Sequence, residues 1–204
     1  RSIAIVGPAD TNAEHGELID SADVVVRTKF VSDSMDGFEV NVGSRTDLSY
    51  YALGSANFLK SDIVDALSRG ELKMAVFRTE TFDHSIPFLH RPGDVRYSPS
   101  EYQGSFRSAQ FAIQRIIYDL LRYGPSSITV FNIDFFVAPD NYRPGYLADY
   151  TKDFSDAGMT QILSAFGHDF LADFVFTQRM HKLGFIQVDD EVAKLLAMTP
   201  VAYL

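Results

Sequence analysis

Residues 2 to 30 read SIAIVGPADTNAEHGELIDSADVVVRTKF, and their reading decides the fold. SIAIV is a short apolar run that stops at Gly7-Pro8-Ala9-Asp10, the pattern of a buried strand followed by a turn that a ligand can approach closely. Asn12, Glu14 and Glu17 then precede Leu18 and Ile19, which predicts a short helix within residues 11 to 20. A second β-branched strand, ADVVVR, comes next. Strand, helix and strand in so short a span predict a parallel βαβ unit.

In open α/β sheets, the residues just past the carboxyl end of a strand face the crevice where ligands bind. Arg27 directly succeeds the valine run, and Lys29 lies on the same side of the strand two residues later, so the pair is a candidate anion site. A second role is open to both. They can pair with Asp20, Asp23 or other carboxylates, which are in ample supply in a chain of formal net charge -9.

Outward from this unit the alternation continues. FEVNVG, residues 38 to 43, alternates Phe38, Val40 and Val42 with polar neighbours and predicts a third strand ending at Gly43-Ser44. Residues 57 to 69 have helical spacing, with Gly70 at the C-cap position, and MAVFR at 74 to 78 is the next strand. Residues 83 to 104 read as a long loop. An amphipathic helix is predicted over 106 to 123, stopped by Gly124-Pro125, and SITVFNIDFF at 127 to 136 is the strongest strand of the chain. Residues 138 to 158 have the polar, aromatic and turn-rich composition of a lid or specificity loop. A helix over 168 to 184, the strand FIQV and a closing helix, DDEVAKLLAM, complete the pattern. The whole predicts one domain over residues 1 to 204, a Rossmann-like α/β/α sandwich with a mostly parallel central sheet.

Composition excludes several classes of partner. With 18 Lys plus Arg against 27 Asp plus Glu and no basic run, neither nucleic acid nor an anionic bilayer is an expected partner. The chain has no cysteine, so disulfides and thiolate metal ligation are ruled out, and a reducing, cytoplasmic compartment is the expectation. No apolar run approaches the ~20 residues of a spanning helix, and no signal peptide is evident. The chain opens at Arg1 and enters a strand within two residues, which suggests a catalytic fragment of a longer protein, with an upstream anchor left open.

No two aspartates are separated by a single residue, and the acidic cluster Asp189-Asp190-Glu191 is explained by the start of the closing helix, so neither a metal nor a cofactor is expected. The glycine signatures of dehydrogenases, P-loop enzymes and α/β-hydrolases are absent. Of five histidines, His168 stands at a predicted helix start, where it suits a general base, although position alone favours an ordinary capping or half-buried role. His181 lies mid-helix, where packing explains it, and His84 and His90 lie in the long loop.

Taken together, residues 3 to 47 resemble the large sialylmotif of the eukaryotic-type sialyltransferases, glycosyltransferase family 29. Gly16, Ile19, Asp20, Asp23, Val25, Arg27, Gly37, Phe38, Glu39, Val42, Gly43, Ser44 and Thr46 match the motif's order and spacing. Residues 98 to 132 resemble the small motif, whose Ser/Thr/Gly turn falls at Gly104-Ser105 or Ser108-Ala109. HDFLADFVFTQRMHKLGFIQV resembles the very small motif, with Asp173 in place of its glutamate. Pro8 and Lys29 stand where the family has asparagines, and the family's cysteine pair and a further loop histidine are missing.

The resemblance implies a glycosyltransferase-A-like fold and an inverting, metal-independent transfer of an acidic sugar from a cytidine monophosphate (CMP) donor to a glycan acceptor hydroxyl. By the same resemblance His168 is the catalytic base, oriented by Asp173. The donor would be held by Gly7, Pro8, Ala9, Asp10, Arg27, Lys29, Ser44, Ser105 and Ser108, with Tyr142 and Arg143 replacing the absent histidine. Two alternatives stay open. One is a catalytically silent nucleotide-binding module, the other a transferase for a related donor such as CMP-Kdo.

Overall fold

The computed structural model describes residues 1–32, 34–78, 93–98, 110–137, 142–144, 146 and 167–204. Its centre is a sheet of seven strands: β1 (Ser2–Val6), β2 (Val24–Thr28), β3 (Leu48–Tyr51), β4 (Met74–Arg78), β5 (Val95–Ser98), β6 (Ser127–Phe131) and β7 (Gln187–Val188). Every pairing is parallel, in the order β5-β4-β3-β2-β1-β6-β7. The chain therefore builds the sheet in one direction as far as β5, then returns and builds from β1 in the other. That reversal, between β1 and β6, is the topological switch point at which such sheets open a crevice.

Alternation within each strand sends side chains to two separate cores. Ala4, Val6, Val25, Ala75 and Phe77 pack beneath α1 (Gly16–Asp20), α2 (Glu39–Val42), α3 (Leu53–Phe58) and α4 (Lys60–Arg69). Ile3, Ile5, Val26, Val76, Ile128 and Val130 pack on the opposite face, beneath α5 (Ala112–Leu121), α6 (Phe170–Lys182) and α7 (Asp190–Leu196). A short α8 (Pro200–Tyr203) closes the chain, and Tyr203 stacks on Phe174 of α6 at 4.3 Å. The expected α/β/α sandwich is present, and among the described residues no helix is long and apolar enough to cross a membrane.

Several local expectations are corrected. Within residues 38 to 43 the structure has α2 (Glu39–Val42) rather than a strand, because the inward pair is Phe38 and Val42, four residues apart, while Val40 is exposed. The third strand is instead Leu48–Tyr51, and part of the predicted long loop is β5. The helix predicted over 57 to 69 is two helices, α3 and α4, that meet at Leu59. The strand starting at Ser127 stops at Phe131, because Asn132, Phe135 and Phe136 all have positive φ and turn the chain across the sheet's end.

Gly7 is required by contact rather than by torsion. A Cβ there would lie 2.3 Å from the carbonyl oxygen of Asn132, where the ends of β1 and β6 meet. Gly16 plays the same part between α1 and α2, with a Cβ only 2.1 Å from the Glu39 carbonyl.

Candidate active site

A cavity of about 170 Å³ opens beyond the carboxyl ends of β1 to β4 and β6. The strand ends contribute Pro8, Thr28, Lys29, Ala52 and Arg78. The opposite wall comes from the first turn of α5, the turn after β6, and Tyr142, Tyr146 and His168. The fold thus brings Pro8, Lys29, Tyr142 and His168, predicted separately from distant stretches, to one space.

His168 sits just before α6, which is capped where the Asp169 side chain accepts from Ala172 N. Its ring lies 4.6 Å from the Phe111 ring. Phe111, Phe136 and Phe170 form an aromatic wall with centroids 4.9 to 5.2 Å apart, Phe170 stacking on the other two, and Tyr142 meets Phe136 edge-on. Such a wall fixes the imidazole plane and offers an apolar face to a ring-shaped ligand.

Lys29 has a φ of 50°, a left-handed conformation that costs energy in a non-glycine residue and is found at functional sites. Burial, with a further contribution from the nearby Arg78 charge, lowers its ammonium to a pKa of about 8. Thr28 is held in place by Tyr146, whose hydroxyl is 2.8 Å from Thr28 Oγ1. Gln110 is 4% exposed, and its Nε2 has no hydrogen-bond partner among the described residues, so the wall beside His168 carries an unspent donor.

Other predicted site residues have different placements. Arg27 is buried, and its guanidinium donates to the carbonyls of Val42 (2.7 Å), Gly43 (3.1 Å) and Arg45 (3.0 Å) and to Thr46 Oγ1 (3.0 Å). It ties β2 to the segment after α2 and does not line the cavity. Neither carboxylate foreseen for it takes it up in a hydrogen bond. Asp20 accepts from Ser44 N and Oγ and from Arg45 N, and Asp23 from Ser2. Ser44 is thereby engaged on an exposed edge away from the cavity.

Arg143 is also buried. Its N–H donates to Pro8 O at 2.9 Å and its guanidinium lies over the Tyr146 ring, so it braces the turn after β1 from behind. Ala9 and Asp10 line a neighbouring depression with Asn132 and Asp189. Ser105 and Ser108 lie outside the described residues.

Asp173 is fully buried in α6, one turn beyond His168, and does not line the cavity. Its Oδ2 accepts from Phe111 N at 3.1 Å, so it anchors the residue whose ring abuts His168. Burial pushes its carboxyl up to about 8, with Asp169 adding to the effect and the Phe111 N–H opposing it. The folded protein keeps this proton up to about pH 8, whereas an unfolded aspartate ionises near ~4. Unfolding therefore releases a proton between those values, and stability falls as pH rises through the window. Asp173→Asn, which cannot ionise, is expected to flatten that slope and to melt about 2 to 4 °C above wild type at pH 8. Parallel melting-temperature profiles between pH 5 and 8 would rule this out.

Sequence reasoning missed Arg78, Gln110, Phe111, Phe136 and Tyr146. The signal for Arg78 was available, since MAVFR ends an apolar strand in a cation just as ADVVVR does.

Solved structures share this fold. A mammalian sialyltransferase in complex with Gal-beta-1-3GalNAc-ortho-nitrophenol superposes with a TM-score of 0.52 at 14% identity, over 93% of this chain and 69% of that one. A second mammalian sialyltransferase structure gives the same TM-score and identity, with 68% of its length covered. No family model matches the sequence, and no curated protein matches it. The motif resemblance in residues 3 to 47 is thus accompanied by likeness in three dimensions, at an identity low enough that the comparison speaks to the fold.

Proposed function

We propose that the protein is a sialyltransferase-like glycosyltransferase that moves an acidic sugar from a CMP-activated donor to an acceptor hydroxyl, with inversion and without a metal. The observation that carries this reading is the convergence of His168, Lys29 and the first turn of α5 on one cavity at the switch point of the sheet. A general base and an anion site are what such a transfer requires.

In the proposed step, the acceptor oxygen attacks the anomeric carbon and passes its proton to His168. The bond from that carbon to the phosphate oxygen breaks, and CMP leaves with the electron pair. Charge develops on the departing phosphate, where fixed cations and N–H groups are worth most. Lys29 and the amides in the first turn of α5 supply them, and the aromatic wall excludes water behind the ring of His168. Asp173 acts at one remove, as a positioning residue through Phe111.

The test is calorimetric titration with CMP followed by an assay of donor consumption with and without acceptor glycans. The expected outcome is CMP binding, and sugar transfer with one proton released per turnover. Affinity should fall about threefold to tenfold between pH 7 and 9, as Lys29 loses its charge above about 8. Failure to bind CMP at any pH would end the proposal.

A second reading is favoured by Pro8 and Lys29, which line the cavity at positions where the family has asparagines. A nucleotide-binding module without catalysis would bind CMP and leave the donor intact. A transferase for a related donor such as CMP-Kdo would consume that donor in preference.

A further inference from the structure

We propose that Gln110 and Gln114 read an acylamino group on the donated sugar, so that the cavity selects N-acylated acidic sugars over those with a hydroxyl at that place. The inference rests on the CMP-donor reading above and goes further, by naming the class of sugar and the two residues that select it.

Both glutamines line the cavity that also holds His168 and Lys29. They are only 4% and 1% exposed, yet Gln110 Nε2 and Gln114 Oε1 have no hydrogen-bond partner among the described residues. The orientation of the Gln114 amide is fixed by its neighbours. Thr177 Oγ1 gives its proton to the Asp173 carbonyl at 2.9 Å, so it can only accept from Gln114, whose Nε2 lies 2.8 Å away. Oε1 is therefore the unmatched end, an acceptor. Asp173 Oδ2 in turn accepts from Phe111 N at 3.1 Å, which ties down the residue next to Gln110. The backbone beside Gln110 and the side chain of Gln114 are thus held at successive turns of α6.

Buried polar atoms are almost always matched, and an unmatched one costs free energy that an apolar side chain would avoid. One unmatched donor and one unmatched acceptor in the same wall call for a ligand group that carries both. A secondary amide does so: its carbonyl accepts from Gln110 and its N–H donates to Gln114, whereas a hydroxyl has to serve both from a single oxygen. Ile113, Ile133 and Phe135, all buried, line the same space and suit the apolar acyl carbon. Depth assigns the amide to the donor. An acceptor glycan must reach His168 from solvent and leave as product, so side chains this deeply buried face the donated sugar.

The experiment compares three ligands by calorimetry: CMP, a non-hydrolysable CMP-acidic-sugar analogue carrying an acetamido group, and the same analogue with a hydroxyl in its place. Wild type is expected to bind the acetamido analogue about tenfold more tightly than the hydroxyl one, the scale of two neutral hydrogen bonds. Gln110→Met and Gln114→Met keep the length of the side chain without the amide. Each should bring that ratio to within about threefold of one and leave the affinity for CMP within about twofold of wild type.

A wild-type ratio near one overturns the assignment while leaving the donor reading intact. So does a ratio preserved in both variants, which would mean that the two amides hold buried water only. Equal losses on CMP and on both analogues overturn it too, since the pair would then read the nucleotide or shape the cavity. Gln110→Met removes an unmatched donor and is expected to fold; failure to fold would show that the amide is satisfied inside the protein and equally overturns the assignment. If Gln114→Met does not fold for want of its bond to Thr177, Gln110→Met decides. If wild type binds none of the three ligands, the donor reading itself fails and takes the assignment with it.

Discussion

His168→Ala turns over about 10²- to 10⁴-fold more slowly than wild type and keeps its fold, the scale expected for loss of a general base. The fold survives because the ring is half-buried at the edge of the aromatic wall, whose Phe111, Phe136 and Phe170 contact one another without it. The helix behind it is capped by Asp169 rather than by the imidazole. The loss should fall on kcat for transfer, with the KM for donor changed far less, because Lys29 and Arg78 lie on the opposite wall. His168→Asn separates proton transfer from shape, since it keeps a hydrogen-bonding side chain of similar reach but cannot serve as the base. Both variants should lose activity together. Wild-type turnover in either one removes His168 from the mechanism.

The largest expected loss of stability comes from Asp119→Ala. Asp119 is 1% exposed in α5 and accepts from Tyr50 Oη at 2.6 Å and from both terminal nitrogens of Arg96. Arg96 also donates to Tyr50 Oη and Tyr123 Oη, and its guanidinium lies over both rings. The cluster joins the edge strand β5 to β3 and α5 across one face of the sheet. Burial alone would lower the pKa of Arg96, yet its bonds to Asp119 and the neighbouring oxygens raise it, so in this site the charge is stabilised by its partners. Removing the carboxylate leaves a half-buried cation and a buried phenol without their shared acceptor, a change that costs about 3 to 5 kcal/mol. Urea unfolding monitored by circular dichroism measures it. A loss below about 1 kcal/mol would mean that water replaces the carboxylate freely. Asp119→Asn should fall between the two, because it keeps an acceptor for Tyr50 and loses the charge.

The two arginines at strand ends show why the candidate site was only partly legible. Arg27 and Arg78 both end apolar parallel strands, and strand periodicity treats them alike. Nε and Nη2 of Arg27 are taken up by three carbonyls and a hydroxyl, because α2 and the residues after it fold back over β2. Arg78 lines the cavity. The outcome depends on where residues 42 to 46 are placed, and that is set by packing of Phe38 and Val42, not by the identity of residue 27. The misread strand at residues 38 to 43 is the same failure, since in so short a segment alternation and an inward pair four residues apart fit equally well. Asp173 was placed beside His168 by its position on a helix, whereas its carboxylate turns inward to the Phe111 backbone.

Sequence alone determined the layered architecture, the parallel sheet, the turn after β1 and the candidacy of His168 and Lys29. Each rests on local information: β-branched runs buried on both faces, the helical spacing between them, and residue types at the ends of these elements. Tertiary structure alone decided which polar groups face the cavity and which are spent inside the protein, and it brought Phe111, Gln110, Arg78 and Tyr146 to the site. The physical reason is that a buried donor or acceptor must be matched, and the partners that match it come from segments far away in the chain, as Arg96 and Asp119 or Phe111 and Asp173 do here.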